Sequence, residues 1–234
     1  MNHVSSFFPD QRGTRLHFQY WEDSSKGYDR VAILLHGASG DSGSYARLVP
    51  AFVAARFKLI ALDFEGFGHS PAAAGQVGLT AMADSVESLY RRVEAAERGR
   101  EIVLVGDSMG AVAALLFLKR HPARRTRLAL VAPLVFGAPA GGAGLSERMA
   151  EEVRRVGAEL MADPAFLEGR QASFFVGEAD EFVPHTDLAR LVAELPLAEG
   201  GLSTFPEADH HALSGEAAEK MVATILSWLG STGP

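Results

Sequence analysis

With 234 residues and a net charge of −7 at pH 7, the chain is long enough for one substantial domain and too acidic for a general nucleic-acid binder. Its hydrophobic fraction of 47% and charged fraction of 22% are typical of a globular protein, and the lack of cysteine excludes disulfides, thiol nucleophiles and cysteine-ligated metals. Because we find neither a leader-like start nor an apolar run of ~18 residues, we expect a cytoplasmic protein without stable membrane insertion.

Apolar runs predict the strands in chain order. Residues 15–21 alternate between apolar and polar side chains and are predicted to form an antiparallel edge strand, paired with a partner near residues 4–8 through a turn at 10–13. Six runs of continuous apolarity follow, as expected for strands that are covered on both faces of a parallel sheet. These runs are residues 31–35, 57–62, 102–105, 128–132, 172–176 and the weaker 202–205.

Helical stretches fill the gaps between these runs. Four apolar residues mark one face of a helix that Gly99 ends; they are Met82, Val86, Leu89 and Val93. Residues 111–119 form a nearly apolar helix expected to pack on the sheet, and residues 215–229 form a closing helix. The alternation of strand and helix predicts an α/β fold with a doubly wound, mostly parallel sheet in a single domain, residues 1–234.

One segment departs from this alternation. Residues 137–144 read GAPAGGAG, a flexible stretch, and an apolar stripe on an otherwise charged helix follows until Asp163-Pro164. We interpret residues 137–169 as an excursion between two strands. It either overhangs a site as a small lid or forms an ordinary crossover helix on the sheet.

Gly106-Asp-Ser-Met-Gly110 lies between the strand 102–105 and the helix 111–119. A G-x-S-x-G match is weak evidence alone, but its position is specific. Small residues on both sides of a sharp strand-to-helix turn let the backbone bend and lift the serine hydroxyl clear. The alternative is a plain turn with a capping serine. We predict that Ser108 is a nucleophile.

A serine hydroxyl is a poor nucleophile unless a base takes its proton and a carboxylate orients that base. Asp180 and His210 follow the last two predicted strands, so both loops lie at the same edge of the sheet as Ser108. In the motif spacing of such triads the base stands two positions after a small residue. Ala208 is that residue here, which favours His210 as the base. Competing candidates flank both positions: His211, Glu178 and Glu181.

His36-Gly37-Ala38-Ser39-Gly40 directly follows the first predicted parallel strand. Its tight turn is expected to aim the backbone N–H of Ala38 at an oxyanion, with the N–H of Met109 as the second donor. We interpret the neighbouring Asp107 as a hydrogen-bonded structural carboxylate, although its charge could also support the base or repel anionic substrates.

Together, the segments HGASG, DFEGFGHS, GDSMG, GEADEFVP and ADHH resemble the α/β-hydrolase superfamily over nearly the whole chain. Within it, SGSYARL, GDSMGA and LVAPLV look like the monoacylglycerol lipase and lysophospholipase branch. This resemblance implies the α/β-hydrolase fold and a carboxylic ester hydrolase that uses Ser108, Asp180 and His210, with Ala38 and Met109 in the oxyanion hole. It implies a small-molecule acyl ester as the substrate.

The chain differs from that branch in two respects. The segment between residues 132 and 172 is shorter than the usual cap, which favours small or exposed acyl groups, and Asp107 stands where histidine is common.

The remaining histidines lack metal-ligand spacing, so we expect no metal and no cofactor. Three functions stay open: an esterase; a thioesterase, amidase, acyltransferase or carbon–carbon bond hydrolase with the same triad; and a non-catalytic binding protein. The oligomeric state is not predicted.

Overall fold

The computed structural model of the protein describes residues 1–72, 78–139, 141–213, 215 and 217–231. Ala140 of the predicted lid and Glu216 of the predicted closing helix therefore lie outside the described residues. Eight strands in the described part form one sheet of order β1-β2-β4-β3-β5-β6-β7-β8. The strands are β1 (Asn2–Pro9), β2 (Arg15–Glu22), β3 (Arg30–Leu35), β4 (Phe57–Leu62), β5 (Glu101–Asp107), β6 (Arg127–Val131), β7 (Gln171–Gly177) and β8 (Glu199–Phe205).

The six strands from β3 to β8 are parallel, and β2 pairs antiparallel with both β1 and β4. Residues 31–35 of β3 and every residue of β6 are buried, which explains their continuous apolarity. The predicted mostly parallel sheet is confirmed. The prediction that residues 15–21 form the edge was wrong, since β1 is the edge strand and β2 lies inside it. Alternation marks an antiparallel strand but not its position in the sheet, and both β1 and β2 pair antiparallel.

The described residues form six α-helices, some on each face of the sheet. From β3 to β4 the chain moves across the sheet in the direction opposite to the later strand-to-strand connections. Because such connections are right-handed, the helix between β3 and β4 lies on the opposite face of the sheet from the helices that follow it. The helices are α1 (Val49–Ala54), α2 (Leu79–Ala96), α3 (Met109–Arg120), α4 (Glu147–Ala162), α5 (His185–Glu194) and α6 (Ala218–Ser231). In agreement with this placement, α1 contacts α6, whereas α2, α3 and α4 contact one another. Within the described ranges, no helix combines the length and apolar character that crossing a membrane requires.

The predicted helices are present with shifted ends. The four apolar residues predicted to share a face of α2 are all buried. This helix ends at Ala96, three residues before Gly99, which adopts a positive φ of 78° in the following turn. The closing helix begins at Ala218, three residues later than predicted.

Helix α4 is held against its neighbours by one charged group and one glycine. The Glu152 side chain accepts a hydrogen bond of 2.9 Å from the N–H of Leu79, the first residue of α2, whose amide has no acceptor within its own helix. Gly157 lies so close to the segment after β6 that a Cβ there would be 2.2 Å from the carbonyl oxygen of Val135. The helical part of the segment 137–169 is therefore packed on other elements.

Gly157→Ala should destabilise the protein, because no real Cβ approaches a backbone oxygen so closely. We expect the free energy of unfolding to fall by about 1–3 kcal/mol, the usual cost of overpacking. Gly230→Ala in α6 is the matched control, since a Cβ there meets nothing within 4 Å, and higher helix propensity should leave stability unchanged or slightly raised. Guanidinium unfolding curves of both variants test this, and equal midpoints would contradict it.

Candidate active site

The chain turns sharply at a single residue between β5 and α3. Ser108 has φ 55° and ψ −115°, a conformation that residues with a Cβ rarely adopt. Its N–H donates a 2.8 Å hydrogen bond to the carbonyl oxygen of Val131, which holds the turn against β6. A backbone of this kind costs of order 1–3 kcal/mol and persists only where the surroundings impose it.

The two glycines of the motif make this turn possible. A Cβ at Gly106 would lie 2.6 Å from the Cα of Ala111, and a Cβ at Gly110 would lie 2.2 Å from the carbonyl oxygen of Leu35. The first close approach packs β5 on α3, and the second packs α3 on the end of β3. Both positions therefore require glycine for packing, independently of any chemistry.

The structure brings the three predicted polar residues together. His210 Nε2 lies 2.8 Å from Ser108 Oγ, and His210 Nδ1 lies 2.9 Å and 3.1 Å from the two carboxylate oxygens of Asp180. All three residues are at least 93% buried, with relative exposures of 5% for Ser108, 7% for Asp180 and 5% for His210. A carboxylate only accepts hydrogen bonds, so Nδ1 carries the proton and Nε2 can accept one from the serine.

The loops that carry the acid and the histidine are bound to each other. Asp180 Oδ1 accepts hydrogen bonds of 2.9 Å from the N–H groups of both Phe182 and Val183, which fixes the carboxylate. At the end of β7, a Cβ on Gly177 would lie 1.9 Å from the carbonyl oxygen of Ala208, so the two loops are in backbone contact. Their relative position depends on this glycine.

The competing candidates lie elsewhere. Glu178 accepts a 2.8 Å hydrogen bond from the Thr204 hydroxyl on β8, and Glu181 is exposed. The His211 ring lines the same cavity as Ser108, with its centroid 5.9 Å from that of the His210 ring. Of the flanking residues, only His211 therefore shares the site.

Two backbone amides lie beside the serine. In the turn after β3, the N–H of Gly40 donates to the carbonyl oxygen of Gly37 at 3.1 Å, and a Cβ on Gly37 would lie 3.1 Å from Ser108 Cβ. This turn carries Ala38, while Met109 is the first residue of α3. Among the described residues, no backbone carbonyl accepts a hydrogen bond from either amide. Ala38 also lines the cavity beside Ser108.

His36 braces this turn. Its buried ring has Nδ1 2.7 Å from the carbonyl oxygen of Gly37, while Nε2 lies 3.1 Å from the backbone N of Phe64. One contact needs a donor and the other an acceptor, so the ring is neutral with its proton on Nδ1. Burial lowers the pKa of His36, in agreement with this assignment.

A cavity of about 100 Å³ opens beside Ser108. Drug-sized ligands occupy sites of roughly 300–1,000 Å³, so this cavity suits a small group. Its walls come from the turn after β3, the end of β5 with Ser108, the 3₁₀ helix Ser42–Leu48 and the loop after β8. The lining residues are Gly37, Ala38, Ser39, Gly40, Ser44, Tyr45, Asp107, Ser108, Ala143, His210, His211 and Leu213.

The glycine-rich segment after β6 closes one side of this cavity, where Ala143 is a lining residue. Its neighbours contact the loops on either side: a Cβ on Gly142 would lie 2.8 Å from Phe182 Cε1, and one on Gly144 would lie 3.2 Å from Ser39 Cβ. We call residues 142–144 the roof. Glycines at its two ends allow the backbone to lie this close to both loops.

Asp107 has a partner that the sequence analysis missed. The hydroxyl of Tyr45, which projects from the 3₁₀ helix, donates to Asp107 Oδ2 at 3.3 Å, and both residues line the cavity. Burial raises the pKa of Asp107 to about 6, although the nearby His210 opposes this shift. Burial and Asp107 also raise the pKa of Tyr45, so its hydroxyl stays a donor. Nothing in the spacing of SGSYARL indicates that this tyrosine reaches the cavity.

With this geometry in place, one comparison decides the family. Residues 27–164, more than half of the chain, match the family described as serine aminopeptidase, S33. The chain belongs to this family of α/β-hydrolases.

The chain is also similar to curated relatives and to solved structures. A probable esterase of Oryza sativa subsp. indica, PIR7A, is 29% identical over 142 residues, which cover 61% of this chain and 51% of the relative. The chain thus spans about half the length of that curated relative. Monoglyceride lipase of Saccharomyces cerevisiae matches with a TM-score of 0.80 at 14% identity, covering 100% of this chain and 97% of the other. Monoacylglycerol lipase of Paleococcus ferrophilus matches at 0.75 and 18%, covering 99% of both chains. The α/β-hydrolase fold is thereby confirmed.

In this S33-family chain, a buried carboxylate anchors the loop after β4. Asp63 accepts hydrogen bonds from the N–H groups of Ser42, at 2.5 Å, and His69, at 2.8 Å, and lies 2.8 Å from Nδ1 of His17. Burial opposes ionisation of Asp63, but these hydrogen bonds outweigh it and lower its pKa. Polar atoms of His17, Asp63 and His69 lie within 4.8 Å of one another, a proximity that their spacing along the chain did not reveal. This network ties the 3₁₀ helix to β2 and β4.

The strain at Ser108 can be measured directly. Ser108→Ala removes the hydroxyl but keeps the Cβ, whereas Ser108→Gly also relieves the positive φ. We therefore expect the glycine variant to be more stable than the alanine variant by about 1 kcal/mol, despite the entropy that glycine gains on unfolding. Chemical denaturation of both variants measures the difference. An alanine variant as stable as the glycine variant would contradict strain at this turn.

Proposed function

We propose that this protein is a carboxylic ester hydrolase in which Ser108 is the nucleophile, His210 the general base and Asp180 the residue that orients the base. The observation that carries this proposal is the continuous hydrogen-bonded chain from the Asp180 carboxylate through His210 to Ser108 Oγ. The likeness to a probable esterase of rice supports an ester as the substrate.

The proposed reaction begins when Ser108 Oγ attacks the ester carbonyl carbon and its proton passes to His210 Nε2. The resulting oxyanion accepts hydrogen bonds from the N–H groups of Ala38 and Met109. When the bond to the leaving oxygen breaks, His210 donates its proton to the departing alcohol and the acyl group stays on Ser108 as an ester. Water then attacks this ester, gives its proton to His210, and the acid leaves as the proton returns to Ser108.

Asp180 contributes without taking up a proton. Its carboxylate accepts the Nδ1–H of His210, which selects the tautomer with a free Nε2 and stabilises the imidazolium formed in each step. The amides of Phe182 and Val183 satisfy the same carboxylate, so it does not need to move during the reaction. The base is thus pre-organised, which lowers the cost of reaching the transition state.

We further propose that residues 1–234 form a single catalytic domain and that residues 137–169 act as a short lid. The roof at residues 142–144 borders the cavity, while α4 fixes the other end of the segment to α2 and α3. A packed lid of this kind restricts the size of the acyl group. The cytoplasmic location expected from composition stays a prediction.

His210→Gln should lower kcat for 4-nitrophenyl acetate by about 10³–10⁴-fold or more, because the His210 ring is the group within hydrogen-bond distance of Ser108 Oγ. His211→Gln is the matched control, since His211 lines the same cavity, and its loss should be far smaller. Initial rates with both variants, and labelling of the wild type by a fluorophosphonate probe, provide the test. The triad assignment fails if His211→Gln is the more damaging change, or if Ser108→Ala still labels and hydrolyses ester.

The small cavity predicts a preference for short acyl chains. Across 4-nitrophenyl esters from acetate to laurate, we expect kcat/KM to be highest at two to four carbons and to fall by at least about tenfold beyond eight, since a longer chain does not fit a cavity of about 100 Å³ without displacing the packed roof. Acetyl-coenzyme A measured beside these esters addresses the thioesterase alternative. Faster turnover of the thioester or of laurate would contradict the proposed substrate class.

A further inference from the structure

Asp107 is an acid in the cavity that the proposed triad does not use. Its side chain is half-buried beside Ser108 and lines the same wall as Tyr45 and Ser44. Within the part of the chain that the structure describes, no lysine or arginine forms an ion pair with it; the Tyr45 hydroxyl is its hydrogen-bond donor. A partly buried carboxylate without a cationic partner is costly, so a structural role alone does not account for it.

The surroundings of Asp107 differ from those of Asp180. Asp180 has two backbone amides and the His210 ring against it, whereas Asp107 has one neutral phenol at 3.3 Å. The charged or titratable groups that face Asp107 are Tyr45, His210, His211 and Asp180. None of these supplies a permanent positive charge, so a substrate is the group that can complete the pairing.

We propose that Asp107 is a specificity-determining residue that favours esters carrying a cationic group on the part that enters the cavity and disfavours esters carrying an anionic one. This inference rests on the proposed function. A negative charge in a narrow, partly desolvated cavity attracts a cation and repels an anion more strongly than it would in water. The neutral Tyr45 hydroxyl holds the carboxylate in place without cancelling its charge.

The test compares esters that differ in charge but not in shape. Ethyl β-alaninate carries an ammonium where ethyl butyrate carries a methyl group, and monoethyl succinate carries a carboxylate there. Acetylcholine and 3,3-dimethylbutyl acetate form the same comparison on the alcohol side. At pH 7.5 we expect kcat/KM for the cationic ester of at least one pair to exceed that of its neutral partner by about tenfold, equivalent to about 1.4 kcal/mol, and monoethyl succinate to be the poorest acyl-side substrate.

Asp107→Asn should reduce this cationic-to-neutral ratio to near 1 for the responding pair. Glu181→Gln is the matched control, because it removes one negative charge from an exposed position in the neighbouring loop, and its ratio should stay within about twofold of the wild type. Fluorophosphonate labelling of Ser108 verifies that each variant is folded. An equal loss on charged and neutral esters would instead assign Asp107 to the support of His210 and would overturn the inference.

The pH dependence gives a second readout. The pKa of Asp107 is about 6, so its charge, and with it the preference for the cation, is present above pH 6 and lost below it. The cationic-to-neutral ratio of kcat/KM for the wild type is divided by the same ratio for Asp107→Asn, so that pH effects common to both proteins cancel. This quotient should fall towards 1 between pH 7.5 and pH 5. Tyr45→Phe removes a hydrogen bond that lowers the pKa of Asp107, so the midpoint should move to higher pH.

The two proposals fail in different ways. If the wild type hydrolyses no ester and resists the fluorophosphonate probe, the proposed function is wrong. If it hydrolyses neutral short-chain esters normally but shows no charge preference in either pair, or a preference that Asp107→Asn leaves intact, only the role of Asp107 is wrong.

Discussion

The close packing of backbone around Ser108 is the constraint on which the rest of the site depends. The serine occupies a positive-φ conformation because β5, α3 and the turn after β3 meet there with no side chain between them. Three glycines make room for this meeting, at positions 37, 106 and 110. The same contacts hold the turn after β3 and the start of α3, which carry the proposed oxyanion donors Ala38 and Met109, next to Ser108. The strained backbone at Ser108 and the close packing around it therefore arise from the same three glycine contacts, and the proposed chemistry depends on both.

Two acids near the same histidine are held in different ways, and their chemistry follows from that difference. Asp180 receives two amide hydrogen bonds and lies against the His210 ring, so its side chain is fixed in orientation. Among the described residues, Asp107 receives a hydrogen bond only from the phenol of Tyr45, and burial raises its pKa to about 6. The first environment supports proton transfer, and the second leaves a negative charge facing the cavity.

Much of this arrangement could be predicted from local sequence, because parallel strands read as continuous apolar runs and their carboxyl ends share one edge. The loops of Ser108, Asp180 and His210 were predicted in this way. Periodicity could not distinguish β1 from β2 as the edge, since it describes the two faces of a strand and not its neighbours in the sheet. It also could not find Tyr45 or the network of Asp63 with His17, because these contacts join residues 46 to 62 positions apart.

The residues proposed to carry out the reaction can be predicted from the sequence, whereas most of those that shape the substrate cavity cannot. The proposed catalytic groups sit at the ends of regular elements, where hydrophobic patterning determines their place. The groups that shape the cavity sit on a 3₁₀ helix and on a glycine-rich roof, which have no such patterning. Substitutions in these segments can change cavity size and charge without disturbing the sheet or the turn at Ser108. Under the proposals made above, substrate choice therefore depends on Tyr45 and residues 142–144, which lie outside the regular framework, and on Asp107 at the end of β5.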